Sequence, residues 1–515
     1  MKLYQGINKK HDRFREDFFN ENSYLAGYSA IIEFFKLKVP QPYSLSLISD
    51  SKKAISSLKW KIYRERYLPE DNIFGHIQFA LKYEGINLLV FKKLFEVLPI
   101  AEVKGIINYK KTGQYSRKIW FLYEWIMDKK LSIVDLEAKV SYVPVVNTKL
   151  QFALENGIKN KRQMIVNNLL GVKGFSPWVN KNEKILAHLE NKYNEKIKES
   201  IAGLTTDILH RAAAYITLKD SQSSFFIEGE SPPQNRSQRW AKAIGQAGKK
   251  ELSEKGLQRL QAIILGDDQR FIEFGYRSKG GWIGERNRIT NHPIPEHISA
   301  RSTDLELIMN NWLAASKKMI SSEMDAVIVA GLLGFGFVFI HPFEDGNGRL
   351  HRFLFHHVLA RMKYNPQGMI FPLSFAILEN IDQYKSTLKE YSEPLLPYIK
   401  YKVTQDLNVE VTNDTEDYYS YWDATAQIEF LFDCVEKTVK DIIPQEIKYI
   451  QNYEEFKKML NEKFAMPDQK ITLLNNFLFQ NGGKLAKRKR EKEFQALTDA
   501  EVKLIEGMYK EIFAS

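Results

Sequence analysis

The feature that most constrains this chain is an apolar run of 15 residues, Ala326–Ile340, which stops abruptly at the polar segment HPFEDGNGRLHR, His341–Arg352. Fifteen residues fall short of the roughly 20 needed to cross a bilayer. Asp325 and His341–Pro342 bound the run, so it reads as a helix buried in a core. Beyond the polar segment, Phe353–Met362 is amphipathic, which predicts a helix–loop–helix whose second helix begins near Asn347. The loop carries two histidines, two carboxylates and two arginines within twelve residues. Gly346, Asn347 and Gly348 at a helix start suit an anion. The first N–H groups of a helix lack partners, the dipole is positive there, and glycine lets a phosphate approach the backbone. Arg349 and Arg352, three apart, share a helical face and can reach one polyphosphate. Asp345 is a hard oxygen ligand suited to Mg²⁺ carrying a nucleotide phosphate. His341 is the group best suited to accept a proton near neutral pH. The loop predicts a site for phosphoryl chemistry.

The same twelve residues match the Fic family signature, HPFx(D/E)GNGRxxR, at each of its nine specified positions, with Glu344 in the variable slot. The chain thus resembles proteins that transfer AMP from ATP to a hydroxyl side chain of a protein. The resemblance implies that His341 is the general base and that Asp345 holds the magnesium. It further implies that Gly346, Asn347 and Gly348 form the anion hole and that Arg349 and Arg352 hold the phosphates. Upstream, SSFFIEGE, Ser223–Glu230, closes a helical pattern that starts near Ala202 and ends before Pro232–Pro233. Ser224, Glu228 and Gly229 resemble the family's inhibitory pattern, (S/T)xxxE(G/N). In it a carboxylate pairs with the last motif arginine, here Arg352, and repels the γ-phosphate. Between these pieces, glycines at 280, 281 and 284 surround Trp282 and Ile283 and predict a short hairpin. The stretch Gly281, Trp282, Ile283, Gly284 looks like the family's flap, which aligns a target segment by strand pairing. Tyr384 looks like the aromatic that the family places against adenine.

The expected architecture is mostly α: a helical Fic core with a small β-hairpin flap, flanked by N- and C-terminal helical domains. With 515 residues, more than one domain is expected. Residues 1–200 form the first, with a boundary near Lys181–Glu199. Residues 201–400 hold the core, with an inhibitory helix near 204–230, a flap near 276–290 and the motif at 341–352, and residues 401–515 form the last. Helical spacing of apolar residues marks Ser51–Arg66, Gly75–Glu84, Ile86–Leu98, Arg117–Asp128, Asp304–Trp312, Ser374–Tyr391 and Asp423–Ile443. The formal net charge of +11 fits a solvated basic surface, as do the runs Lys159–Arg162 and Lys484–Phe494, without excluding nucleic acid. The single cysteine, Cys434, lies in an apolar context and reads as core packing in a reducing compartment. The N-terminus lacks the apolar segment of a signal peptide, so a cytoplasmic protein with no membrane partner is expected. His292 and His297 read as loop residues. His356 and His357 diverge by about 100° on a helix and read as structural rather than metal-binding. Zinc spacings, a Ser–His–Asp set and a P-loop are lacking, so ATP would sit at the motif. The expected activity is adenylyl transfer from Mg–ATP to a Ser, Thr or Tyr hydroxyl of a protein, self-inhibited by Glu228. Self-modification and a homodimer are compatible with it. The alternatives are removal of AMP or transfer of another phosphate-linked group at the same site, or a nucleic-acid-binding regulator with a nucleotide-sensing core.

Overall fold

The computed structural model describes residues 4–49, 60–137, 140–266, 274–366 and 368–513. The chain opens on a four-stranded sheet ordered β1 (Lys10–Phe14), β2 (Asp17–Ala26), β3 (Leu45–Ile48), β4 (Trp60–Tyr63). The first two pairings are antiparallel and β3–β4 is parallel. Helix α1 (Tyr28–Phe35) follows β2, and four helices follow the sheet: α2 (Ile73–Tyr83), α3 (Leu88–Val97), α4 (Ile100–Tyr109) and α5 (Gln114–Met127). Three short strands, β5 (Val143–Pro144), β6 (Ile158–Asn160) and β7 (Ile165–Asn167), make a second sheet with β7 in the middle. The helical spacing at Gly75–Glu84, Ile86–Leu98 and Arg117–Asp128 therefore corresponds to α2, α3 and α5. Ser51–Arg66 differs: residues 51–59 lie outside the described residues, and Trp60–Tyr63 is a strand. Trp60 is buried against the rings of Phe14 and Phe19 while Lys61 faces out, which is the alternation of a half-buried strand. Four residues are too few to tell that period from a helical turn. The first 200 residues are accordingly mixed helix and sheet rather than helical throughout.

The remainder is mostly helical. α6 (Glu183–Glu190), α7 (Tyr193–Ile201), α8 (Thr206–Phe226), α9 (Gln234–Ile244) and α10 (Glu254–Leu265) lead to a hairpin of β8 (Trp282–Arg286) and β9 (Pro293–Ile298). Then come α11 (Leu305–Ile320), α12 (Ala326–Ile340), α13 (Asn347–Arg361), α14 (Leu373–Glu379) and α15 (Ile381–Ser392). The predicted helix Ser374–Tyr391 is thus two, broken at Asn380, whose backbone leaves the helical region. A second hairpin, β10 (Tyr401–Val403) and β11 (Val409–Val411), interrupts the expected helical tail. α16 (Glu416–Ser420) and α17 (Thr425–Lys437) follow, the latter passing through a π turn into α18 (Ile443–Lys463). α19 (Asp468–Gln480), α20 (Lys487–Glu493) and α21 (Asp499–Phe513) end the described chain.

Everything is built around α12, all of whose residues are buried. The Asp325 carboxylate caps its start by accepting from the Val327 and Ile328 N–H groups. α11, α13 and α17 pack around it. Phe175, from the N-terminal half, presses against Gly336, where an added Cβ would lie 2.6 Å from the ring. Strand-like bonds from Ser176 N–H to Ser420 O and Trp178 N–H to Trp422 O fasten that half beside α17. One continuous apolar core therefore spans Ile7 to Ile450, and a smaller one gathers Phe456–Ile512. Among the described residues no helix is long and apolar enough to cross a membrane.

Candidate active site

The site forms where α12 ends. His341 adopts the left-handed conformation (φ 54°, ψ 60°) and caps α12 through its N–H to Phe337 O. The chain then turns through Pro342–Gly346 into α13, which starts at Asn347 as expected. The Asn347 side chain brackets this turn: Nδ2 donates to Phe343 O (2.8 Å) and Oδ1 accepts from Phe343 N–H (3.0 Å). The amide is thereby fixed to the loop by one N–H and its oxygen. Gly346 sits at φ 90°, where a side chain is strained, and its N–H donates to Asp345 Oδ1 (2.5 Å).

Both motif arginines project into the space before α13 and both already hold carboxylates. Arg352, fully buried, donates from Nε to Ser224 Oγ (3.0 Å), from Nη2 to Ser224 O (2.6 Å), and pairs with Glu228 Oε1 (2.8 Å). Arg349 pairs with Glu230 Oε1 (2.6 Å) and Asp345 Oδ1 (3.1 Å). Each guanidinium keeps one buried N–H without a partner, Arg349 Nε and Arg352 Nη1. The acids arrive from the end of α8. Thr205 caps its start, and Gly229 at φ 74° reverses the chain beyond Phe226. Glu228 lies directly on the first turn of α13: a Cβ at Gly348 would fall 2.1 Å from its Oε1. Ser224 and Glu228 are thus brought to the motif although they are more than a hundred residues away in sequence, whereas an added Cβ at Gly229 would meet nothing within 4 Å. α8 is fixed in place by Asp220, buried, which accepts from the Ser374 and Phe375 N–H groups and bonds His356 Nε2 (2.9 Å). His357 Nδ1 accepts from Gly248 N–H. Both histidines are structural, as read from the sequence.

His341 Nδ1 lies 3.2 Å from Val338 O. A carbonyl only accepts, so Nδ1 carries the proton and Nε2 keeps the lone pair. Burial, with the Arg277 guanidinium as the second cause, pulls its pKa down to about 4. Two residues escaped the sequence reading. Arg277 donates from Nε to His341 O (2.8 Å), from Nη1 to Lys279 O (2.7 Å), and from Nη2 to Ala300 O and Ile340 O. It ties the base of the hairpin to the end of α12, and burial lowers its own pKa to about 10. Only its place among Tyr276, Gly280 and Gly281 could have drawn attention to it. His297, expected as a loop residue, is on β9 behind His341, bonded to Ser392 Oγ and Phe339 O. Replacing Arg277 with methionine strands several buried carbonyls. A loss of about 3 kcal/mol in denaturant unfolding is expected, of the size such groups cost when unpaired.

The predicted hairpin at Gly281–Gly284 forms β8 and pairs with β9, with an irregularity between Ile283 and Gly284. Gly284 lets Ile294 O come within 2.2 Å of where a Cβ would stand. Within the described residues β8 pairs on one side only, and Ile283, Ile289 and Ile294 are exposed on the hairpin. The β10–β11 hairpin braces it: Asn408 Nδ2 donates to Gly280 O and Arg286 Nη1 to Leu407 O. Tyr384 is buried, stacked on His351 and packed by Phe430. Burial pushes its hydroxyl up to about 12, against the opposing pull of the Arg352 guanidinium.

A helical scaffold thus places a neutral imidazole, a half-exposed carboxylate and two arginines at the start of one helix. Residues 251–359, which include the whole loop and hairpin, match the Fic/DOC family, and the chain carries a Fic domain. It is similar, at 34% identity over 84 residues, to the protein adenylyltransferase Fic of Nematostella vectensis. That match covers 16% of this chain and 19% of the relative, so it spans about a fifth of the relative's length. Among solved structures, a Fic family protein from Desulfovibrio desulfuricans G20 aligns at 18% identity and TM-score 0.37, over 52% of this chain and 76% of that one. A Fic domain containing signaling protein from Bacteroides thetaiotaomicron VPI-5482 aligns at 19% and 0.35, over 52% and 97%.

Proposed function

We propose that this chain is a protein adenylyltransferase that moves AMP from ATP to a hydroxyl side chain of a protein and is held at rest by Glu228. One observation carries the reading: a carboxylate lies on the first turn of α13, against Gly348 and Arg352. An anion place at a helix start is there filled by an anion of the protein itself. With Glu228 withdrawn, the α13 N-terminus and Arg352 face phosphate oxygens, and the unpartnered N–H groups of Arg352 and Arg349 supply further donors. The hydroxyl oxygen attacks the α-phosphorus, its proton passes to His341 Nε2, and the bond to pyrophosphate breaks. Asp345, half-exposed, is the residue that would hold Mg²⁺, which neutralises phosphate charge when bound. The one-sided edge of β8 is where an extended target segment adds as a strand. The adenylyltransferase among the similar proteins supports AMP as the group moved.

The test uses ATP labelled on the α-phosphate, with Glu228 replaced by glycine. Label should appear on protein, and His341→Ala on the same background should lower it by about 10²–10⁴-fold, the contribution of a general base. With the His341 pKa near 4, its base form is complete above about pH 6, so transfer should be flat from pH 6 to 8. A profile half-maximal near pH 6.5 would contradict that. Protein that binds ATP yet stays unlabelled in the Glu228→Gly variant rules out transfer of AMP.

A further inference from the structure

We infer that Glu230 is a second inhibitory carboxylate, holding Arg349 as Glu228 holds Arg352. The inference rests on the proposed nucleotide site and deepens its regulation. Glu230 Oε1 lies 2.6 Å from Arg349 Nη1, shorter than the Glu228–Arg352 contact at 2.8 Å, so it is no weaker by geometry. The two acids leave the end of α8 on either side of Gly229, and each takes one motif arginine. Arg349 is 2% exposed and Asp345 pairs with its other terminal nitrogen, so this guanidinium is already fully neutralised by protein acids. A nucleotide phosphate that is to pair with the Nη1 edge of Arg349 must displace Glu230, whatever Glu228 does.

The surroundings give Glu230 somewhere to go. Its other oxygen pairs with Arg236 Nη1 at 2.8 Å, and Arg236 is anchored by Nε to Ile264 O at the end of α10. The guanidiniums of Arg236 and Arg349 both lie over the buried Phe225 ring, 4.9 and 5.2 Å from its centre. A carboxylate that lets go of Arg349 therefore keeps a cationic partner outside the site and is not stranded. In the structure Glu230 bridges the two guanidiniums, one oxygen on each, so that each motif arginine is held by one acid from the end of α8. A signal that opens the site fully has to release both carboxylates. Withdrawing Glu228 alone frees half of it.

Calorimetric titration with ATP and with adenosine tests this on the full chain as parent, Glu230→Gln, Glu230→Ala, Glu228→Gly and Glu228→Gly with Glu230→Gln. Glutamine keeps the volume and removes the charge, and the alanine variant guards against a new amide contact. Both Glu230 variants should bind ATP about tenfold more tightly than the parent, the response to losing one competing charged bond. Adenosine, which has no phosphate for Arg349, should bind as before. The double variant should exceed Glu228→Gly by a similar factor in ATP affinity and in AMP transfer. Unchanged ATP affinity on both backgrounds, equal gains for ATP and adenosine, or no ATP binding by the doubly opened protein each overturns the inference. If ATP affinity rises as stated while no variant labels protein, the second lock stands and the transferase reading falls.

Discussion

Glu228→Gly should raise AMP transfer by roughly two orders of magnitude over the parent chain at saturating ATP. Two terms add. The Arg352–Glu228 bond is charge-assisted, and giving that guanidinium back to the substrate returns about 1.5–3 kcal/mol. A carboxylate left in place would also stand within a few ångströms of a triphosphate, where like charges cost on the order of 4 kcal/mol at an effective dielectric near 20. Part of each term appears in binding and part in the placement of the α-phosphate, because a nucleotide that avoids Glu228 sits out of line for attack. Ser224 should matter less: its hydroxyl and carbonyl accept from Arg352, but neither carries charge. Measured as initial rates with α-labelled ATP, a variant within about threefold of the parent would remove Glu228 from the inhibitory role.

Acidification should unfold this protein well before its carboxylates are exhausted. Four fully buried histidines, His76, His297, His351 and His357, have pKa values lowered by burial to about 4, 3, 3 and 4. The unfolded chain takes up protons at about 6.5. Between 6.5 and 4 the unfolded state binds more protons than the native one, so stability falls as pH is lowered through that window. Each histidine contributes up to about 1.4 kcal/mol per pH unit. Glu84 runs the opposite way, since burial raises its carboxyl to about 7 and the native state takes that proton first. These five groups by themselves give a loss of about 3 kcal/mol at pH 5.5 and roughly 7 at pH 4.5, comparable to a whole domain's stability. Thermal melts followed by circular dichroism should shift down steadily from pH 7 to pH 5, with native signal lost near 4.5. A melting temperature constant over that range would mean these rings are not buried neutral.

Much of the candidate site was legible because it is contiguous. The turn from α12 into α13 is written in twelve residues, and periodicity with the Pro and Gly punctuation located both helices. The hairpin was legible from three glycines around an apolar pair. Glu228 was legible through a pattern, not through physics, since a Ser and a Glu four apart at a helix end are ordinary. Arg277 and His297 were not legible, because what sets them apart is burial beside His341, and a lone Arg or His in a loop carries no trace of that. The sheet of the first 60 residues was missed for a different reason: Trp60–Tyr63 becomes a strand only through a partner at Leu45–Ile48. Strand pairing is non-local, and its period is hard to read in four residues. The bracing of the β8–β9 hairpin by β10–β11 joins segments more than a hundred residues apart.

By itself, then, the sequence determined the local machinery: which residue can accept a proton, which can face phosphate, and where the helix that presents them begins. Those properties depend on side-chain type and spacing along one stretch of chain. The tertiary structure decided the state of that machinery. It holds His341 neutral by burying it beside Arg277, and it places Glu228 and Glu230 on Arg352 and Arg349. Desolvation and Coulomb energies depend on distances and surroundings in space. No spacing along the chain encodes them.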